Sequence, residues 1–148
     1  MNVTPVNAPV TVRSQHSRLT PPPGLAYLAS ALREAGHHVS AVDFDVSGLA
    51  SGRVDRIVEI DQPLLVGIST LTEAYPSARE IARRVKAKNP GVRVVMGGAP
   101  PSIGPRQVPV HESVDFVVEG DGVAALPELA ASLSGEGLTL DATAGLGY

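Results

Sequence analysis

The stretch Pro63-Leu-Leu-Val-Gly-Ile-Ser-Thr-Leu-Thr-Glu-Ala-Tyr-Pro76 decides the fold. Its apolar run, residues 64–68, enters through a proline and ends in small polar residues, as a strand does in the centre of a parallel sheet covered on both faces. Ser69, Thr70 and Thr72 then place three hydroxyls at the carboxyl end of that strand, and Pro76 falls in the first turn of a following helix. In an open parallel sheet, ligands bind in the crevice beyond the carboxyl ends of the strands. This turn is therefore the first candidate site; the alternative is that residues 69–72 only cap and connect.

Working outward, residues 76–88 read as a helix, with Ala78, Ile81, Ala82 and Val85 on one face and Arg79, Arg83, Arg84, Lys86 and Lys88 largely off it; Asn89-Pro90-Gly91 stops it. Residues 92–96 form an apolar strand that runs into Gly97 and Gly98, where a ligand can approach bare main chain. Residues 102–113 allow a short helix between prolines. A fifth strand at 114–118 leads into Glu119-Gly120-Asp121 and a helix over 123–133, and a last short strand fits 138–140.

Toward the N-terminus, a first strand is expected within residues 3–10, broken by Pro5 and Pro9, followed by an aperiodic loop over 11–23 that carries Arg13, His16 and Arg18. A loop of that length is commonly functional or disordered, which makes it a second candidate site. Leu25, Leu28, Ala29, Leu32 and Ala35 recur at helical spacing, with Gly36 placed for a left-handed C-cap. A second strand over 39–43 and a short amphipathic helix over 54–60 complete the alternation. The expected class is α/β: a five-stranded parallel sheet with helices on both faces, Rossmann-like or flavodoxin-like, with right-handed crossovers.

At 148 residues the chain is long enough for one domain, residues 1–148, with 135–148 as a C-terminal extension or linker. A net charge of −3 with interspersed signs offers no basic face for nucleic acid and no polybasic membrane anchor. The absence of cysteine excludes disulfides, thiolate metal sites and iron-sulfur ligation within this chain. No apolar run approaches membrane-spanning length and no leader pattern opens the chain, so a cytoplasmic location is expected.

Familiar chemistries do not assemble. A dinucleotide site needs a glycine-rich turn after the first strand, where this chain has Asn7-Ala8-Pro9-Val10; a GK[ST] phosphate loop and a G-x-S-x-G elbow are also missing. Asp43 and Asp45 lie where a phospho-receiver keeps carboxylates, without the rest of that site. His37 and His38 suit the exposed carbonyls at the end of the first helix, His111 lies in a proline-flanked segment, and His16 stays open as a metal ligand because it sits on the ligand side. What remains is a row of strand ends, Ser69-Thr70-Leu71, Gly97-Gly98 and Glu119-Gly120-Asp121, which suit a trough for a large, polar-tailed ligand.

Those strand ends, with Pro21-Pro-Pro-Gly-Leu-Ala-Tyr-Leu-Ala-Ser-Ala-Leu-Arg-Glu-Ala-Gly-His37, Val66-Gly-Ile-Ser-Thr-Leu-Thr72, Val94-Val-Met-Gly-Gly-Ala99 and Val114-Asp-Phe-Val-Val-Glu-Gly-Asp121, resemble the cobalamin-binding domain that precedes the catalytic barrel in cobalamin-dependent radical SAM enzymes. The resemblance covers nearly the whole chain and is most specific in the P-P-x-G-L-A-Y-L helix opening and in the ordered pair of Ser-x-Leu and Gly-Gly. It implies that Ser69, Leu71, Gly97 and Gly98 line a slot for the dimethylbenzimidazole nucleotide tail, with Thr70, Glu119, Gly120 and Asp121 as further walls. A serine hydroxyl can bond a ring nitrogen, and glycine leaves room for a flat base.

The chain departs from methionine-synthase-like members, whose D-x-H-x-x-G motif supplies a histidine to cobalt. Counted back from Ser69, that position falls on Pro22-Pro-Gly-Leu-Ala-Tyr27, with Pro22 in place of the aspartate and Gly24 in place of the histidine. The resemblance thus implies base-off cobalamin with no histidine lower ligand and an apolar floor at Leu25 or its neighbours. Withholding a donor favours the reduced cobalt state that accepts a methyl group from S-adenosylmethionine. S-adenosylmethionine and an iron-sulfur cluster are implied only through a partner, a radical SAM domain or protein, since the chain has no C-x-x-x-C-x-x-C. Residues 144–148 fall near where relatives enter the barrel, which leaves two readings, an excised domain or a stand-alone carrier. The competing expectation is a scaffold or docking module of the same fold that has lost cobalamin.

Overall fold

β1 (Asn2–Asn7) and β4 (Leu65–Thr70) lie side by side in the middle of one sheet, because their alternating apolar residues must be covered on both faces. The structure is a computed structural model, and it describes residues 1–10, 21–49, 52–98, 112–135 and 146–147. In chain order the remaining elements are α1 (Pro23–Glu34), β2 (His38–Val39), β3 (Val42–Asp43), α2 (Phe44–Ser47), α3 (Arg53–Arg56), α4 (Tyr75–Lys88), β5 (Arg93–Gly98), β6 (Phe116–Val118), α5 (Gly122–Leu133) and β7 (Leu146–Gly147). The sheet runs β2-β1-β4-β5-β6-β7, and β3 also pairs with β1. β2 and β3 share one position, so the parallel part has five positions, in the flavodoxin-like order.

Residue parity on the strands sends side chains to two separate cores. Val6, Val66, Ile68, Val94 and Met96 pack against Phe44, Val54, Ile57, Ala78, Ile81 and Val85 of the α2–α4 side. Val3, Leu65, Val95, Phe116 and Val118 pack against Leu32 of α1 and Leu126 and Leu129 of α5. Each such side chain taken fully out of water contributes about 1.5–3 kcal/mol. Helices on both faces follow from this division.

α1 begins with Pro23 at its first position, where a missing N–H costs nothing, and ends in a left-handed Gly36. The Gly36 amide donates to the Arg33 carbonyl and the His37 amide to the Leu32 carbonyl, each at 3.0 Å. This ties off the helix and turns the chain into β2.

The structure differs from the sequence expectation in several places. The central strand runs two residues further, to Thr70, because Ser69 and Thr70 pair with Gly97 and Gly98 of β5. The second strand is split at Ser40 and Ala41, though Val3↔Val39 and Val6↔Val42 keep a common register. The helix expected over 54–60 is four α-helical residues followed by a wider π turn, Ile57–Asp61, and a left-handed Gln62 that returns the chain to β4. Leu146–Gly147 adds an antiparallel edge strand to β6. The 11–20 part of the expected loop site, with His16, the 102–111 part of the expected short helix, with His111, and the 138–140 strand lie outside the described residues.

Candidate functional site

The site grows from four glycines that each stand one helical turn or one strand repeat from a larger lining residue. On the sheet, Gly67 precedes Ser69 and Val95 precedes Gly97 with the two-residue repeat that sends side chains to one face; on the helices, Gly24 precedes Leu28 and Gly122 precedes Leu126 by four. These residues meet over the carboxyl half of β4, β5 and β6. They enclose a cavity of about 180 Å³, which Ile68, Gly98, Val118, Gly120, Asp121 and Val123 also line.

The two adjacent glycines of β5 have different jobs. Gly98 has φ +114°, and a Cβ there would collide with the Thr70 carbonyl oxygen, so the strand pairing itself demands glycine. Gly97 lies on the cavity wall, and a Cβ there would meet Val118 Cβ and the Val118 carbonyl oxygen at an ordinary 3.7 Å. The fold would admit a methyl group at Gly97; the cavity would lose the space. At the far wall, a Cβ on Gly67 would press on Leu126 Cδ2 at 3.3 Å, so Leu126 lies a few tenths of an ångström closer to the sheet than a side chain at 67 would allow.

Polar groups are few. Ser69 is half-buried and its hydroxyl has no hydrogen bond to another described residue, while its carbonyl accepts the Ala8 amide at 2.9 Å and so fixes the exit of β1 beside the cavity. Asp121 is exposed at the mouth and caps α5, its Oδ1 accepting the Val123 amide at 2.9 Å. Behind β1, Asn7 Nδ2 donates to Asp43 Oδ1 and Asp45 Oδ2, and Asp45 Oδ1 accepts the Val10 amide at 3.2 Å. That network holds the start of the segment after β1.

Of the residues singled out in the sequence, Ser69, Gly97, Gly98, Gly120 and Asp121 come together on this cavity. Thr70 is buried with its hydroxyl donating to the Leu71 carbonyl at 2.8 Å, and Leu71 is exposed at the strand exit; neither is in the lining. Glu119 is exposed beside the mouth, and Leu25 is buried within the first turn of α1 while Gly24 and Leu28 face the cavity. Sequence reasoning missed Gly24, Leu28, Gly67, Ile68, Val95, Val118, Gly122, Val123 and Leu126. Apolar wall residues look like core, and only the pairing of a glycine with a larger residue one repeat away, on α1, β4, β5 and α5, gives them away.

Among the described residues, no group of three or more His, Asp or Glu side chains is placed to hold a metal ion. His37 is buried past the end of α1 and His38 begins β2, away from the cavity lining. The residues present fit a flat heterocycle: a slot between sheet and helices, one hydroxyl inside it, and a wall kept open by Gly97.

Comparison with known proteins agrees with this geometry. The profile of the B12 binding domain matches residues 11–130. An uncharacterized methyltransferase of Pyrococcus horikoshii is 37% identical over 132 residues, 86% of this chain and 28% of the relative. The anaerobic magnesium-protoporphyrin IX monomethyl ester cyclase of Synechocystis is 31% identical over 116 residues, 76% of this chain and 23% of the cyclase. Among solved structures, the cobalamin-dependent S-adenosylmethionine radical enzyme OxsB with aqua-cobalamin and S-adenosylmethionine bound superposes with a TM-score of 0.81 at 26% identity, over 99% of this chain and 20% of that one. The radical S-adenosylmethionine methyltransferase TsrM from Kitasatospora setae gives 0.79 at 23% identity, over 97% of this chain and 27% of that one, a likeness of fold. The chain thus spans about a quarter of the length of the curated relatives it matches. On the family match over residues 11–130, the chain belongs to the B12-binding domain family, and it is similar to the cobalamin domains of radical SAM methyltransferases.

Proposed function

We propose that this chain binds cobalamin base-off, without a histidine lower ligand, as the cofactor-carrying domain or stand-alone carrier of a radical SAM methyltransferase-type system in the cytoplasm. The observation that carries the reading is the slot beside Gly97, where the missing side chain leaves space that the fold itself does not need. In this reading the nucleotide base lies against Gly97, Ser69 donates a hydrogen bond to a ring nitrogen, and Gly98, Gly120 and Asp121 border the entrance. Leu71 and Glu119 form the rim, and Thr70 acts from behind by fixing the Leu71 carbonyl. With Gly24 where a histidine would otherwise stand, the first turn of α1 would offer the metal only apolar groups, Leu25 and its neighbours.

When bound, cobalamin supplies a cobalt centre that can accept and hand on a methyl group. The described residues would hold the tail and keep water out of the slot, and among them the first turn of α1 would offer no donor from below. S-adenosylmethionine and an iron-sulfur cluster would come with a partner radical SAM domain or protein, because this chain offers no cysteine. The likeness of 99% of the chain to one fifth of OxsB supports a partner of that kind, and no described helix is long and apolar enough to cross a membrane.

Visible-absorption titration of the purified protein with hydroxocobalamin tests the reading. Saturable binding with a base-off spectrum is expected. No binding at concentrations well above micromolar would overturn it and favour the docking module.

A further inference from the structure

Resting on the base-off reading, we propose that the slot sorts cobamides by their lower base, accepting benzimidazole-type bases and disfavouring purines. The inner walls are hydrocarbon: Leu28, Val95, Val118 and Leu126. The main chain behind them is committed to the sheet, where Ser69 pairs with Gly97 and Gly97 with Val118. Among the described residues, the one side-chain hydroxyl in the lining is that of Ser69, which has no hydrogen bond to another described residue. Asp121 is exposed at the mouth and already accepts the Val123 amide.

One side-chain hydroxyl among hydrocarbon side chains matches one acceptor. A benzimidazole released from cobalt presents a single ring nitrogen, and the rest of its edge is C–H or methyl. Adenine adds two further ring nitrogens and an exocyclic amine, which would be buried without partners. Size agrees with a compact bicyclic guest, since an apolar cavity of about 150 Å³ takes a benzene ring and this one is about 180 Å³ with an open mouth. Buried polar groups left unpaired weaken binding by roughly tenfold to a hundredfold.

The test is equilibrium binding of the full chain to cobalamin, to the cobamide carrying adenine and to cobinamide, which lacks the nucleotide. Each affinity is corrected for that cobamide's own base-off equilibrium, taken from its acid titration. Cobalamin is expected to bind most tightly, with the adenine cobamide roughly tenfold to a hundredfold weaker. Equal affinity for cobalamin and cobinamide would overturn the base-in-slot reading itself. Cobalamin well above cobinamide, with the adenine cobamide within twofold of cobalamin, would leave that reading standing and overturn the sorting. Val95→Thr and Val118→Thr, each checked by circular dichroism, add a hydroxyl to the wall and are expected to narrow the gap; an unchanged gap in folded variants would overturn the assignment to these walls. The wild-type comparison stands whether or not either variant folds.

Discussion

Gly97 and Gly98 are neighbours in sequence, yet substitution by alanine should separate them cleanly. Gly97→Ala is expected to keep the fold, with a melting temperature close to wild type, and to weaken cobalamin binding at least about tenfold, because its methyl group enters the cavity with only ordinary contacts. Gly98→Ala is expected to cost more than about 2 kcal/mol of stability, since a Cβ at φ +114° strikes the Thr70 carbonyl. Thermal melts and titrations on both variants check the pair; equal loss of stability would contradict the division. Ser69→Ala should leave the melt unchanged and weaken binding by roughly threefold to tenfold, the value of one hydrogen bond. At this scale the motif was legible in the sequence, because Ser69, Gly97 and Gly98 stand out as small residues at strand ends. What distinguishes the two glycines was not, because it depends on a backbone angle and on the position of Thr70 across the ladder.

The elements that read most plainly from the sequence were α1 and α4, whose apolar period matched a single buried face, and β4, whose unbroken apolar run matched burial on both faces. The split of the second strand at Ser40 and Ala41 was not visible, since both flanking pairs keep the same register and only the ladder between them is lost. β7 was equally hidden, because a two-residue edge strand has no period to read. The join of α4, β5 and β6 opposite the site rests on Asp115, which accepts from Lys86 Nζ at 2.7 Å, from the Val94 amide at 2.7 Å and from Arg93 at 3.0 Å. Burial alone would push the Asp115 carboxyl up; the Lys86 ammonium, the Val94 amide and the Arg93 guanidinium outweigh it and hold it below its ordinary 3.8. A carboxyl depressed in the folded state adds stability above its unfolded value and loses it as pH falls through the folded value. The stability contributed here is thus expected to fade below about pH 4, and Asp115→Asn should lower the melting temperature at neutral pH while flattening the acid limb. A variant whose melt-versus-pH curve runs parallel to wild type would contradict this.

For the whole molecule, the fold class and the ligand edge followed from the alternation of strands and helices, and the family from a few motif residues; the shape of the slot did not, because its walls are ordinary core residues that become a site only where α1 and α5 flank the sheet. Ligand binding to the folded state alone predicts a further whole-molecule effect. Cobalamin at a hundred times its Kd should stabilise the chain by about 2.7 kcal/mol, visible as a melting temperature several degrees higher, and Gly97→Ala should cut that gain to about 1.4 kcal/mol or less at the same concentration. The measurement that tests the central claim most directly is electron paramagnetic resonance of the bound cobalt(II) form. A base-off signal without nitrogen hyperfine splitting is predicted, because in the proposed reading the base is held in the slot and no imidazole replaces it. Splitting from an axial nitrogen would contradict the claim and reopen the case for His16, or for the benzimidazole itself, as the lower ligand.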